Sequence, residues 1–250
     1  MTFSLLQGLR VVELGESVSA PYSTKLLADM GAEVVKIEKP GVGDQAREYG
    51  PFLNDQPHHE RSGLFLYLNS NKKGITLDLY TPTGREILGE LLGRSQVFVH
   101  NLHPTEMDRL KIHYDAIKNY NDQLVMASIT PFGLTGPYRN YKAYDINLAA
   151  AGGICEGLGS PSREPLTFGT PEVGYFAGMA AASSVVIALL AGQGQHIDIA
   201  EVESMSGIYN GPEALMAVYQ WRMTRRTGHH ALDFPYPCLL YTSPSPRDRG

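Results

Sequence analysis

The cluster Lys36-Ile37-Glu38-Lys39-Pro40 closes an apolar run, Ala32 to Ile37, so its charges fall at the C-terminal edge of a strand, where open α/β sheets place their ligands. Long cations in such a place suit anions, and Arg in particular can hold a phosphate through two hydrogen bonds. Glu172 opens a helix of small residues, where a carboxylate offsets the helix dipole. Other groupings lack the spacing that their chemistry needs. Gly41-Val42-Gly43 is half of a dinucleotide fingerprint and reads as a turn. His58-His59-Glu60 and the pair His100 and His103 have no HExxH or carboxylate-rich frame, so no metal site is expected. Ser204 and Ser206 near Glu203 form no nucleophile elbow.

The elements that must carry these residues alternate. Leu9 to Leu14 is an apolar run, Pro21 to Met30 has helical spacing, and Ala32 to Ile37 is apolar again, which predicts strand, helix, strand. Ser19 is expected to cap that helix, Pro21 to fit its first turn and Gly31 to supply the left-handed residue that ends it. Ile75 to Leu79 reads as a strand, Thr81-Pro82 opens a helix that Gly93 ends, and Val97 to Val99 is the next strand. Pro104 to Leu110 and a segment from about Tyr114 are helical, and Leu124 to Ile129 is a further strand. This order predicts an α/β fold with a doubly wound, mostly parallel sheet and flanking helices. Two polar loops, Pro40 to Leu64 and Pro131 to Tyr144, are candidates for ligand contact.

With 250 residues the chain can bury a substantial core. A net charge of -5 with scattered Lys and Arg argues against nucleic-acid binding. Cys155 and Cys238 are far apart and outside any CxxC spacing, so a reducing cytoplasm is the simplest setting. Val173 to Gly192 is nearly uncharged, but its Ala, Gly and Ser favour a buried helix over a membrane span. Gly174, Gly178 and Ala182 fall four apart, giving that helix a face able to approach another backbone closely.

Six strings, in order, resemble the class III coenzyme A transferases, the formyl-CoA and carnitine-type enzymes. They are Gly8 to Leu14 (GLRVVEL), Leu27 to Glu38 (LADMGAEVVKIE), Leu68 to Asp78 (LNSNKKGITLD), Val99 to Pro104 (VHNLHP), Phe132 to Tyr138 (FGLTGPY) and Gly194 to Ile199 (GQHIDI). The resemblance implies a Rossmann-like CoA-binding large domain over 1–200 and a helix and linker toward a missing small domain over 201–237. Residues 238–250 look like translated sequencing adapter, a non-native tail. It also implies acyl-CoA and carboxylic acids as substrates, no metal, no membrane, and a homodimer, or a heterodimer with a paralogue, when full length.

In this family an aspartate attacks an acyl-CoA thioester to give a mixed anhydride, and the thiolate then attacks to give an enzyme-CoA thioester. The matching position here is Gly174, which cannot form an anhydride. Glu172 is the nearest substitute, displaced by two residues, while Asp145 matches a pair that looks structural. By position Lys39, Lys72 and Arg109 match family sites that meet CoA, with Asn101 and Leu102 beside the adenine and Arg47 a weaker candidate. Glu16 stands in the same region and opposes an anion. Three readings follow: a transferase using another carboxylate or chemistry completed elsewhere, a silent CoA-binding subunit that pairs with an active paralogue, and a fragment from truncated sequence data, which can coexist with either. If the cradle is intact, Gly174→Asp in a full-length chain is expected to create transfer.

Overall fold

Six short strands pair in parallel in the computed structural model, which describes residues 4–157, 160 and 162–209. The elements run β1 (Arg10–Leu14), α1 (Ser19–Asp29), β2 (Glu33–Glu38), α2 (Gly63–Leu68), β3 (Lys72–Thr76), α3 (Pro82–Gly93), β4 (Val97–His100), α4 (Pro104–Leu110), α5 (Tyr114–Ile117), β5 (Val125–Thr130), α6 (Asp145–Ala151), α7 (Ile154–Gly157), α8 (Glu172–Ala191), β6 (Gln195–Ala200) and α9 (Glu201–Tyr209). The sheet order is β3-β2-β1-β4-β5-β6, with every neighbour parallel, as expected of a doubly wound fold. The direction of winding reverses between β1 and β4. The tail 238–250 and most of the 201–237 linker lie outside the described residues.

Alternation along the central strands divides the core in two. Val11, Val97, Val99, Val125 and Ala127 face α1 and α8, while Val12, Phe98 and Met126 face the layer containing Leu88, Leu92, Met107 and Leu110. All six residues of β5 are buried, the run that a parallel strand covered on both faces requires. The α1 and α8 side is built from small residues, Ala20, Ala177, Ala181 and Ala188, which let the helices lie low on the sheet.

Local signals explain the helix ends. Thr81 accepts from the Gly84 N–H at 3.0 Å, and Pro82 takes the first turn of α3, where no N–H is needed. Gly31 adopts φ +100° after α1, as a left-handed terminator should. Ser19 does not cap α1. Val18 holds the cap position without a side-chain bond, and the Ser19 hydroxyl instead accepts from Asn101. The third strand also begins earlier than its apolar residues suggest, at Lys72, because its backbone pairs from Val34↔Lys72 to Glu38↔Thr76. α8 is buried along one face only: Val173, Ala177, Ala181, Val185 and Ala188 are covered, whereas Ile187 and Leu190 are 67% and 83% exposed. Among the described residues it is the one helix long and apolar enough to cross a membrane.

Candidate functional site

A cavity of about 630 Å³ opens at the C-terminal ends of β1, β2 and β4, beside the reversal in strand order. Its wall includes Gly15, Glu16 and Ser17 after β1, Glu38 and Lys39 at the end of β2, and Asn101, Leu102 and His103 after β4. The loop between β1 and α1 is pinned from both sides. The Glu16 N–H donates to Asn101 Oδ1 at 3.0 Å, and Asn101 Nδ2 donates to the Glu16 carbonyl at 2.7 Å. Ser17, at φ +63°, donates its N–H to Asp44 Oδ1 at 2.8 Å. Asn101 therefore lines the cavity, yet its amide is spent on joining the ends of β1 and β4.

Behind the loop lies a buried ion cluster. Glu13 accepts from Lys36 Nζ at 2.7 Å and Lys72 Nζ at 2.8 Å, and Lys36 also reaches Asp44 at 2.7 Å. The Lys36 ammonium donates its remaining bond to the Gly15 carbonyl at 2.8 Å, which anchors the loop from below. Burial alone would raise the Glu13 pKa, but the two lysines overcome it and hold the carboxyl at about 2. Lys36 is raised despite burial, by Glu13 and Asp44, whereas burial wins at Lys72 and draws it down to about 8. Lys72 also donates to the Pro21 carbonyl at 2.7 Å and Asn69 Oδ1 at 3.0 Å. The structure does not bring Lys72, expected to meet a ligand, to the cavity: its ammonium is enclosed by three protein partners, and the residue is absent from the cavity lining. The clue in the sequence was a charged residue inside each of two buried strands, Glu13 and Lys36.

The other cations sit at the opening. Lys39, with 52% of its side chain exposed, pairs with Glu16 at 2.7 Å. Burial opposes its charge, but hydrogen bonding and attraction from Glu16 prevail and its pKa is raised. Arg109 lies over the Tyr80 ring, 4.6 Å from the centroid, and 3.9 Å from Glu106. Tyr80 and Glu106 line the cavity, and Arg109, which touches both, is itself absent from the lining. Arg47 is committed elsewhere, with Nε and Nη2 on Glu38 at 2.8 and 2.9 Å and its guanidinium 3.6 Å from the Phe65 ring centroid.

The β4 end is positioned by a relay of neutral groups. His100 Nδ1 accepts from the Leu102 N–H at 3.3 Å, so the proton of this imidazole belongs on Nε2. Nε2–H then donates to Ser128 Oγ at 2.7 Å, leaving that hydroxyl to donate to His196 Nε2 at 2.8 Å. Complete burial pushes His100 down to about 3, with His196 adding to the effect, so the ring is neutral at physiological pH. The relay fixes Leu102 on the cavity wall. Ser128 lies in the segment Leu124 to Ile129, read only as a strand, and His196 in Gly194 to Ile199, read only as part of the family resemblance.

On its far side the same loop meets α8. A Cβ built on Gly174 would lie 2.8 Å from Val18 Cβ and 3.0 Å from its Cγ1, and one on Gly178 would lie 2.6 Å from the Ser19 carbonyl. The two glycines seat α8 directly on the first turn of α1. A side chain at 174 therefore enters only if Val18 shifts. Two residues, or about 200°, separate Glu172 from Gly174 around the helix. Glu172 accepts from Thr170 Oγ1 at 2.9 Å, turned back to its own loop, and neither residue lines the cavity. Asp145, at the start of α6, supplies the missing cap of α8 by accepting from the Val173 N–H at 3.1 Å. Burial raises its pKa against that bond.

The His58 Nδ1 accepts from the Glu60 N–H at 3.1 Å, closing a turn, and no group of three metal-ligating side chains occurs among the described residues.

Comparison with known proteins follows the same outline. The chain is 39% identical over 199 residues to the formyl-CoA:oxalate CoA-transferase of Streptomyces avermitilis, covering 78% of this chain and 47% of that one. It is 32% identical to the succinate--glutarate CoA-transferase of Agrobacterium fabrum, covering 81% and 52%. A CAIB/BAIF family protein from Brucella suis superposes with a TM-score of 0.81 at 33% identity, over 88% of this chain and 59% of that one. The chain spans about half the length of the curated relatives it matches. Residues 6–240 match CoA-transferase family III, and with six parallel strands wound in both directions around the cavity the chain belongs to that family.

Proposed function

We propose that this chain serves CoA transfer between carboxylic acids as a CoA-binding partner that lacks its own nucleophile. The observation that carries the reading is Gly174 packed against Val18: the position matched to the attacking aspartate has no side chain and no room for one. The cavity supports the binding half of the proposal. It lies at the switch point of the sheet, its volume falls in the range of small-molecule sites, and Lys39 on its wall is offered to phosphates, with Arg109 behind the lining residue Tyr80 and Leu102 as an apolar wall for adenine. Acyl-CoA and carboxylic acids are the proposed small molecules.

A partner that carries the aspartate would complete the reaction. One relative, from Chloroflexus aurantiacus, is named the beta subunit of succinyl-CoA--L-malate CoA-transferase, and it is 32% identical over 240 residues. Pairing is further supported by the apolar outer face of α8, where Ile187 and a groove lined by Leu26, Met30 and Val186 lie together. A cytoplasmic setting is consistent with Cys155, which is buried and free. The alternative, transfer through Glu172, has in its favour only that carboxylate's place at the start of α8.

The test is calorimetric titration with CoA at low salt. Binding is expected, weakened by Lys39→Met and by Arg109→Met. Absence of binding, or binding indifferent to both substitutions, would overturn the assignment of the cavity.

A further inference from the structure

We propose that Glu16 determines which anions the cavity accepts, by occupying Lys39 until a ligand phosphate displaces it. The inference rests on the CoA reading above and adds to it a residue that competes with the ligand. The two charged groups meet at 2.7 Å on the cavity wall, with 52% of the Lys39 side chain and 29% of the Glu16 side chain exposed, so a ligand can reach both.

The placement of Glu16 is built into the loop. Its N–H and carbonyl are both held by Asn101, at 3.0 and 2.7 Å, and the next residue is held by Asp44 at 2.8 Å. A backbone fixed on both sides aims the carboxylate at the opening at little entropic cost. Among the described residues, Lys39 is the one Lys or Arg that lines the cavity, against the acids Glu16, Glu38, Asp44, Asp78 and Glu106. Glu38 and Asp44 already hold Arg47 and Lys36, and Glu106 accepts from the Tyr80 hydroxyl. The free charge at the mouth therefore depends on whether Lys39 is released from Glu16.

Displacement favours one class of ligand. A carboxylate offers Lys39 what Glu16 already offers, so the exchange gains nothing. A phosphate monoester carries nearly two charges at pH 7 and three acceptor oxygens, and outcompetes a single carboxylate. Glu16 thus sets a charge threshold that admits a nucleotide carrying a terminal phosphate, as CoA does, and rejects free carboxylic acids from this end of the cavity.

The experiment titrates CoA, and pantetheine as a phosphate-free control, into the wild type, Glu16→Gln, Lys39→Met and the double variant. Glu16→Gln should tighten CoA about five- to tenfold, the scale of losing one half-exposed ion pair together with one nearby like charge. It should leave pantetheine unchanged, and the gain should vanish in the double variant. If Lys39→Met weakens CoA while Glu16→Gln leaves it unchanged or weaker, Glu16 is no competitor and only this inference falls. If no variant binds CoA, or Lys39→Met has no effect, the CoA reading falls and takes this one with it. Glu16→Ala, which keeps the pinned backbone, should behave as Glu16→Gln; opposite effects would also overturn the proposal.

Discussion

Replacing Glu13 by Gln keeps the shape of the buried cluster and removes one charge. Lys36 would retain Asp44 at 2.7 Å, but Lys72 would keep only the Pro21 carbonyl and Asn69, both neutral. Removing one partner of a buried pair costs about 3–5 kcal/mol, because the remaining ion is left uncompensated. The glutamine oxygen can still accept from one ammonium, so the lower end applies. A carboxyl held at about 2 instead of 4.5 points to the same scale, about 3 kcal/mol of preference for the charged form. The whole cluster is worth less, since Lys72, drawn down to about 8, shows an opposing cost of similar size. At about 2–4 °C per kcal/mol for a domain of this size, Tm should fall by about 6–12 °C. Thermal unfolding followed by circular dichroism at pH 7 measures it, with Glu33→Gln as control, because Glu33 pairs with Lys73 on the surface and should move Tm very little. A fall of less than about 1 kcal/mol would refute the argument, since it would mean that the cluster is solvated.

The same residues set the pH dependence. Glu13 has a lowered folded pKa, so its contribution is complete above about 4.5 and is lost as pH falls toward about 2; Lys72, lowered to about 8, adds stability as pH rises from about 8 to 10.5, where only the unfolded chain keeps the proton. Denaturant titrations across both windows should show these two slopes, and a flat acid limb would contradict the first. Gly174→Ala should destabilise by about 1–2 kcal/mol, the overpacking against Val18 exceeding the gain from removing a helical glycine, and in a Val18→Gly background the same change should stabilise. Equal effects in the two backgrounds would show that the contact is absent. Ser128→Ala leaves His100 Nε2–H and His196 Nε2 without their shared partner, and should cost about 1–3 kcal/mol in a urea titration; an unchanged midpoint would refute the relay.

Periodicity carried the reading of the fold because the central strands are largely apolar, Gly31 ends α1, Thr81-Pro82 opens α3 and Gly93 is its last residue, signals that act within a few residues. The start of β3 was not legible. Its first residues are Lys72 and Lys73, and only pairing with β2 makes them a strand. Gln195–Ala200 also pairs as a full strand, although its polar residues Gln195, His196 and Asp198 give little hydrophobic signal.

The site divides in the same way. Lys39, Asn101 and Leu102 line the cavity because each follows closely on a strand end, a position that sequence reveals. Lys72 also had the right type and neighbourhood, but the direction of a lysine side chain depends on what else is buried nearby, here Glu13 from a strand 59 residues away. The absent carboxylate at Gly174 was visible in the sequence; that Val18 fills its space was not, because the contact joins two helices distant in the chain.

The most direct test of the account is intact-protein mass spectrometry after incubation with an acyl-CoA, with hydroxylamine or borohydride trapping and peptide mapping. The account predicts bound CoA with every carboxylate unmodified; a CoA thioester or trapped adduct on Glu172, or on any other carboxylate of this chain, would contradict it.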